Sequence, residues 1–317
     1  MELWRQQTLV PVTWCGALVC RDGMAPVHPP DYPQRNVSKE ELQQLEPGLT
    51  PDRQWSYYPT EGLLEPVQAA ELMIAEARRL GCRTEFEVNA LAVELDSDGP
   101  HGESVALRTE VGTFHADCVV LAAGNFVPDL LETTSTAVKI PTAEKPGLLV
   151  HTEPLPPGTI NTIVVSPPDG VHMLQRPNGS VVLGGSICDE ADIDVEAVSK
   201  ETLRRGALLI PMLSKAKIKE CSVGYRPFPA DGYPVVGFVP GTKGQVYVAM
   251  SHSGITLASL WGALASAEIT AQSVHLGRSE PSVDTIPTLL RDYRPGRAMN
   301  TSMVMDSGLP KSKASNS

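Results

Sequence analysis

Residues 246–275 join an unbroken apolar run to a long helix through one glycine-containing turn. Val246-Tyr247-Val248-Ala249-Met250 reads as a strand buried on both faces, because such a strand carries no alternating polar side. Ser251-His252-Ser253-Gly254-Ile255-Thr256 follows, and the pattern then predicts a helix from about Leu257 to His275. Strand, tight turn and helix in this order give the geometry of a dinucleotide site. The helix N-terminus carries unpaired N–H groups and partial positive charge, and Gly254 permits close backbone approach. An ordinary strand–turn–helix crossover gives the same pattern, so the stretch points to an α/β unit and leaves its use open.

Other segments agree with an α/β chain. Cys118 to Gly124 is a second apolar run that reads as a buried parallel strand ending on small residues. Thr84–Leu95 and Ser104–Thr109 are strand-like and flank the turn-rich Asp96-Ser97-Asp98-Gly99-Pro100. Glu61 to Gly81 predicts a helix with Pro66 in its first turn, an apolar face of Leu72, Ala75, Ala77 and Leu80, and Gly81 closing it. Ser38 and Glu41 form a capping-box-like start for a short helix that ends before Pro47-Gly48. Thr8–Cys20 reads as a strand or hairpin, and the Pro-rich Val27–Asn36 excludes regular helix. From 139 to 228 the character changes to short β-like runs. Asn178-Gly179 there signals a hairpin, and one helix is expected around Lys200–Leu213.

With 317 residues, 42% hydrophobic and 20% charged, the chain can build a sizeable core and two domains. Its 26 basic and 37 acidic residues give a net charge of −11, which argues against nucleic acid and anionic membrane as partners. No apolar run approaches a membrane span, and Met1-Glu2-Leu3-Trp4-Arg5 lacks the order of a signal peptide. The six cysteines form no C-x-x-C pair, so reduced, mostly buried thiols in a cytoplasmic setting are expected. The histidines lack metal-ligand spacing, and Ser166 and Ser186 lack the setting of a hydrolase nucleophile. Asp189, Glu190, Asp192 and Asp194 read as a solvated loop, and 299–317 as a disordered tail.

A further candidate lies in Gly224-Tyr225-Arg226-Pro227-Phe228-Pro229-Ala230-Asp231-Gly232-Tyr233-Pro234-Val235-Val236-Gly237. An arginine between an aromatic and a proline offers a planar fork to a carboxylate. A surface arginine in a Pro-rich loop is the alternative, and His252 is equally readable as a structural histidine or as a pocket residue.

In combination these stretches resemble the FAD-dependent D-amino-acid oxidase, glycine oxidase and sarcosine oxidase family. The resemblance rests on Arg226-Pro227 with Asp231-Gly232-Tyr233-Pro234-Val235-Val236-Gly237, on His252 to Ala258, and on Val119 to Gly124. Glu61-Gly62-Leu63-Leu64-Glu65-Pro66 and Arg291-Asp292-Tyr293-Arg294-Pro295-Gly296-Arg297 add to it. One departure is clear: no G-x-G-x-x-G occurs in the sequence. A complete βαβ unit takes roughly 30 residues, so the expectation is a chain lacking its N-terminal dinucleotide-binding motif.

The resemblance implies an α/β fold: an incomplete Rossmann-like FAD-binding domain (61–138 and 229–298) with a β-rich substrate domain (1–60 and 139–228). It implies oxidation of an amine or amino acid by hydride transfer to a non-covalent flavin, Cys221 being misplaced for a covalent link. No acid–base side chain is required if the amine arrives neutral. Arg226 would anchor a carboxylate, with Tyr225 and His252 shaping the pocket. Ser253, Gly254, Ile255 and Thr256 would face the flavin, the Val88 backbone would lie near adenine, and Ala123 and Gly124 near the ribose or pyrophosphate. A folded remnant that binds partners without FAD is the rival class.

Overall fold

A computed structural model describes residues 2–22, 32–50, 52–99, 102–186, 194–275, 290–297 and 299. The chain begins with α1 (Glu2–Gln6), β1 (Ala17–Cys20), β2 (Arg35–Asn36), α2 (Lys39–Leu45), β3 (Trp55–Tyr58) and α3 (Pro66–Arg79). Next come β4 (Ala90–Gly99), β5 (Gly102–Thr109), β6 (Gly112–Ala116), β7 (Val119–Leu121), α4 (Val127–Glu132) and β8 (Thr142–Thr152). Then follow β9 (Ile163–Ser166), β10 (Val171–Gln175), β11 (Val181–Ser186), α5 (Val195–Leu209), β12 (Ile218–Pro229), β13 (Val235–Phe238), β14 (Val246–Met250) and α6 (Gly254–His275). The fold is mixed α/β. It divides into two compact units, 1–82 with 145–225 and 83–144 with 226–317.

The first unit is built on a sheet ordered β12-β8-β11-β10-β9-β1-β3-β2. Alternation along its strands sends Leu18, Leu148, Val150, Val164, Met173 and Leu183 into one core with Leu42 of α2 and Leu209 of α5. Each such side chain contributes about 1.5–3 kcal/mol on full burial. The Asn178-Gly179 signal forms the β10–β11 hairpin, and Ser38 caps α2 by accepting from the Glu41 N–H at 3.2 Å.

Where α2 ends, Glu46 is fully buried. Its Oε2 accepts from the N–H groups of Asn161 (2.8 Å) and Thr162 (2.9 Å) and from Thr162 Oγ1 (3.0 Å), while Oε1 is buried without a partner.

The second unit holds two sheets, ordered β13-β14-β7 and β4-β5-β6. Val246, Val248 and Met250 of β14 enter a core with Val93, Val105 and Leu131, whereas Tyr247 enters another with Trp261 and Ala265 of α6. Both faces of β14 are covered, which is why its sequence has no polar alternation. Helix α6 has apolar residues on every side of its axis, yet among its described side chains only Ala265 is buried.

Several elements depart from the sequence expectation for identifiable reasons. The helix expected from Glu61 starts at Pro66, because a residue before proline is driven out of the helical region and Leu63 instead bridges Thr13. Its expected apolar face is not packed: Ala75 is exposed, Leu80 is 71% exposed, and only Ala69 is buried. That bridge and the Glu65–Arg176 ion pair tie this segment to the first unit, so the unit boundary falls after residue 82 and not at 61.

The strand expected from Thr84 begins only at Ala90, since Glu87 sits at φ 55°, outside extended geometry. β7 stops at Leu121, and Val120 is 45% exposed, so this strand is not buried on both faces. Thr8–Cys20 yields only β1. The helix expected at Lys200–Leu213 is α5 followed by a 3-10 turn opened by Pro211. Cys82 and Cys221 are exposed, against the expectation of mostly buried thiols. Asp194 caps α5 by accepting from the Ala197 N–H, whereas Asp189, Glu190, Asp192 and residues 300–317 lie outside the described residues. Among the described residues no helix is long and apolar enough to cross a membrane.

Burial raises the Glu46 carboxyl above its ordinary range, against the lowering effect of its three hydrogen bonds. A carboxyl raised on folding favours the native state most below its unfolded pKa, and that contribution is lost as pH rises through the folded value. Glu46→Gln is expected to flatten the dependence of melting temperature on pH as pH rises above the ordinary carboxyl range. Glu46→Ala is expected to destabilise at all pH values, by about 1–3 kcal/mol for each donor left unpaired. Melting curves at fixed ionic strength check both. At the sheet edge, Val120→Lys is expected to reduce any concentration-dependent association seen by light scattering, because a charge blunts an exposed strand edge.

Candidate functional site

Parallel pairing of β14 with β7, with Val246 opposite Val119 and Val248 opposite Leu121, places the carboxyl ends of both strands side by side. β13 runs antiparallel to β14 with Val235 opposite Met250, so residues 229–234 arrive at the same end. Ligands of open α/β sheets bind outside the carboxyl ends of strands. Three stretches singled out from sequence therefore meet in the second unit: Ala123–Gly124, Arg226–Phe228 and His252–Thr256.

Contacts confirm the meeting. Gly124 opens a 3-10 turn at φ 58°, a conformation that disfavours other residues, and a Cβ there would lie 3.9 Å from Pro227 Cβ. The Phe228 and His252 rings meet edge to face with centroids 4.8 Å apart, and His252 Nδ1 lies 3.2 Å from Ser253 Oγ. Helix α6 begins three residues earlier than expected, at Gly254. Its first main-chain link is the Leu257 N–H donating to Ser253 O, which leaves the N–H groups of Gly254, Ile255 and Thr256 outside the helical ladder. His252 through Thr256 are all exposed, and a Cβ at Gly254 would meet nothing within 4 Å. Ser251 Oγ, at the end of β14, is buried with no hydrogen-bond partner among the described residues. A buried hydroxyl without a partner is costly, and a polar ligand group at this turn would satisfy it.

Arg226 is half-buried and pairs with no carboxylate among the described residues. Its neighbours in the unit behave differently: Arg294 pairs with Glu268 and Arg297 with Asp231. Tyr225 is 58% exposed and directly precedes Arg226 in β12, where successive side chains leave opposite faces. Val88 lies apart from this cluster and lines a groove of 340 Å³ with Arg83, Glu85, Ala90, Leu107, Thr109 and Phe114. Among the described residues no group of three or more His, Cys, Asp or Glu could hold a metal.

Sequence reasoning gave no role to Phe228, Ser251 or Asp231. Burial pushes the Asp231 carboxyl up, but hydrogen bonds from Arg297 and from the Tyr233 N–H outweigh it and hold the group below the usual carboxylate range. Tyr247 is fully buried and donates to Glu268 Oε2 at 2.8 Å; burial, then that carboxylate, raises its pKa.

An α/β unit with an exposed helix N-terminus at the carboxyl ends of two parallel strands is a place where a dinucleotide can bind. Residues 2–268 match the model of the FAD-dependent oxidoreductase family DAO, and the chain belongs to that family. It is 29% identical over 169 residues to the uncharacterized oxidoreductase YurR of Bacillus subtilis (strain 168), covering 51% of this chain and 45% of that protein. The chain spans about half the length of the first curated relatives it matches. Glycine oxidase from Geobacillus kaustophilus superposes with a TM-score of 0.72 at 22% identity, covering 94% of this chain and 79% of that one. L-proline dehydrogenase from P. horikoshii superposes with a TM-score of 0.74 at 20% identity, covering 85% and 76%. These structures share the fold.

The residues at the turn fit the ring end of FAD. The N–H groups of Gly254 and Ile255, which lie outside the helical ladder, and the Ser251 hydroxyl are donors suited to a polar ring edge, and the space at Gly254 is open. Ser251→Ala is expected to raise the melting temperature of the ligand-free protein, by about 1–2 kcal/mol of stability, because it removes a buried unpaired hydroxyl. The same change is expected to weaken FAD binding. Calorimetry and flavin titration read the two effects separately.

Proposed function

We propose that this chain forms the flavin-ring and substrate-carboxylate side of a FAD-dependent enzyme that oxidises an amino acid or a related amine. The observation that carries the reading is Arg226, a half-buried guanidinium without an acidic partner, beside the turn that opens α6. A half-buried guanidinium with no acidic partner among the described residues is available to take a ligand carboxylate on two parallel bonds.

FAD, when bound, supplies the acceptor for the hydride that leaves the carbon next to the amine. The chain's own residues supply position. Arg226 grips the carboxylate through two parallel hydrogen bonds, and Phe228 with His252 forms an aromatic wall beside it. The N–H groups of Gly254, Ile255 and Thr256, with Ser253, present partial positive charge where the ring binds. Family resemblance assigns Ala123 and Gly124 to the ribose or pyrophosphate and the Val88 backbone to adenine. The groove lined by Val88 is consistent with that assignment. Binding is non-covalent. All five described cysteines are free thiols, which supports a reducing, cytoplasm-like compartment.

Titration of the purified protein with FAD, followed by flavin fluorescence, is expected to saturate. With FAD bound, Arg226→Ala is expected to lower kcat/KM for amino acids by about 100-fold, the loss of two charge-assisted hydrogen bonds, while uncharged amines are little affected. Arg226→Lys is expected to restore part of the loss, since one ammonium cannot reproduce the fork. Equal loss for both substrate types would make Arg226 a tie for its loop. Absence of both flavin binding and turnover would favour the second reading, a folded remnant that binds partners without FAD.

A further inference from the structure

Residues 290–297 return to the second unit and grip the 231–237 motif at both ends. Asp231 is 6% exposed and receives Arg297 on both oxygens, Nε to Oδ2 at 2.8 Å and Nη2 to Oδ1 at 2.9 Å. Oδ1 also accepts from the Tyr233 N–H at 3.1 Å, and Arg297 Nη2 donates to Tyr233 O at 3.0 Å. At the other end Arg294 is bound by Glu268 and lies against Gly237, at φ 137°, where a Cβ would come within 2.5 Å of its Nη1. Glycine is required at 237 because this guanidinium occupies the place of a side chain.

We infer that Asp231 and Arg297 are positioning residues for the Arg226 fork, acting through the stiff segment between them. This rests on the reading of Arg226 as the carboxylate anchor. The segment has few soft dihedrals. Pro227 and Pro229 fix their own φ angles and restrict the residues before them. Phe228 is held by its contact with His252, the Ala230 N–H donates to Pro141 O at 2.8 Å, and the Gly232 N–H to Pro229 O at 2.8 Å. A shift of Asp231 is therefore passed along the chain to Arg226. The pair orders a carboxylate site that neither residue touches, and its two members stand 66 residues apart in sequence. A fork held in place before the substrate arrives loses less freedom on binding.

The test uses the full chain as purified and sodium propionate as the probe. Propionate affinity is read from the Arg226 side-chain NMR signals, and hydrogen exchange is followed at Phe228, Ala230 and Val248. Wild type is expected to bind propionate saturably, and Arg226→Ala to abolish binding. In Arg297→Gln, exchange at Phe228 and Ala230 is expected to rise about tenfold with Val248 unchanged, and propionate affinity to fall about fivefold. Arg297→Lys, which keeps the charge but not the two-pronged contact, is expected to fall between. If Arg297→Gln does not fold, Asp231→Asn carries the same comparison, since it keeps the shape and one acceptor. Faster exchange with unchanged affinity would reduce the pair to a structural tie and overturn the inference. Lost affinity with unchanged exchange would mean that Arg297 acts through its charge and would also overturn it. Failure of wild type to bind propionate would remove the anchor reading itself, and the inference with it.

Discussion

The site depends on the parallel ladder between β14 and β7. Only a parallel pair puts two carboxyl ends at one end of a sheet, and each strand here delivers its chain into a turn at that end. The antiparallel return of β13 then brings the end of β12, which carries Arg226, to the same place. Because Val246, Val248 and Met250 feed one core and Tyr247 the other, the ladder is clamped from both faces. The exposed turn can remain solvent-facing and unstrained by packing because the strand beneath it is so thoroughly held.

Charge is distributed unequally around that end. Arg294 and Arg297 are neutralised by Glu268 and Asp231, and both arginines come from one short segment. Arg226 has no such partner. The unit thus separates two arginines that are paired with carboxylates from one that, among the described residues, is not. A sequence shows arginines and acids without showing which of them meet.

Much of the architecture was legible before any coordinates. The apolar run 246–250, the Asn178-Gly179 hairpin and the Ser38 cap are local signals, and local signals survive folding. The family resemblance grouped Gly124, Arg226 and His252, and the contacts of Gly124 with Pro227 and of Phe228 with His252 agree with that grouping. What was not legible depends on partners remote in sequence. Thr84–Asn89 has strand composition, but a strand needs a ladder, and Glu87 turns the backbone away. Leu80 looked like part of an apolar face, yet it caps the helix and packs on nothing. Asp231 was visible only as part of a motif because its meaning is set by Arg297, and the Ser251 hydroxyl became notable only when the described surroundings left it without a partner.

Helix α6 presents apolar residues all round, so its sequence alone does not define which way it is rotated about its own axis. Its phase is set by Trp261, Leu264, Ala265 and Ile269, which pack with Tyr247, and by Glu268, which receives Tyr247 from the sheet and Arg294 from the returning segment. The direction in which the first turn aims its amides is thereby set from the far half of the same rod. α6 is keyed at two points, an apolar stripe that seats it and a carboxylate that ties it to both the sheet and the returning segment.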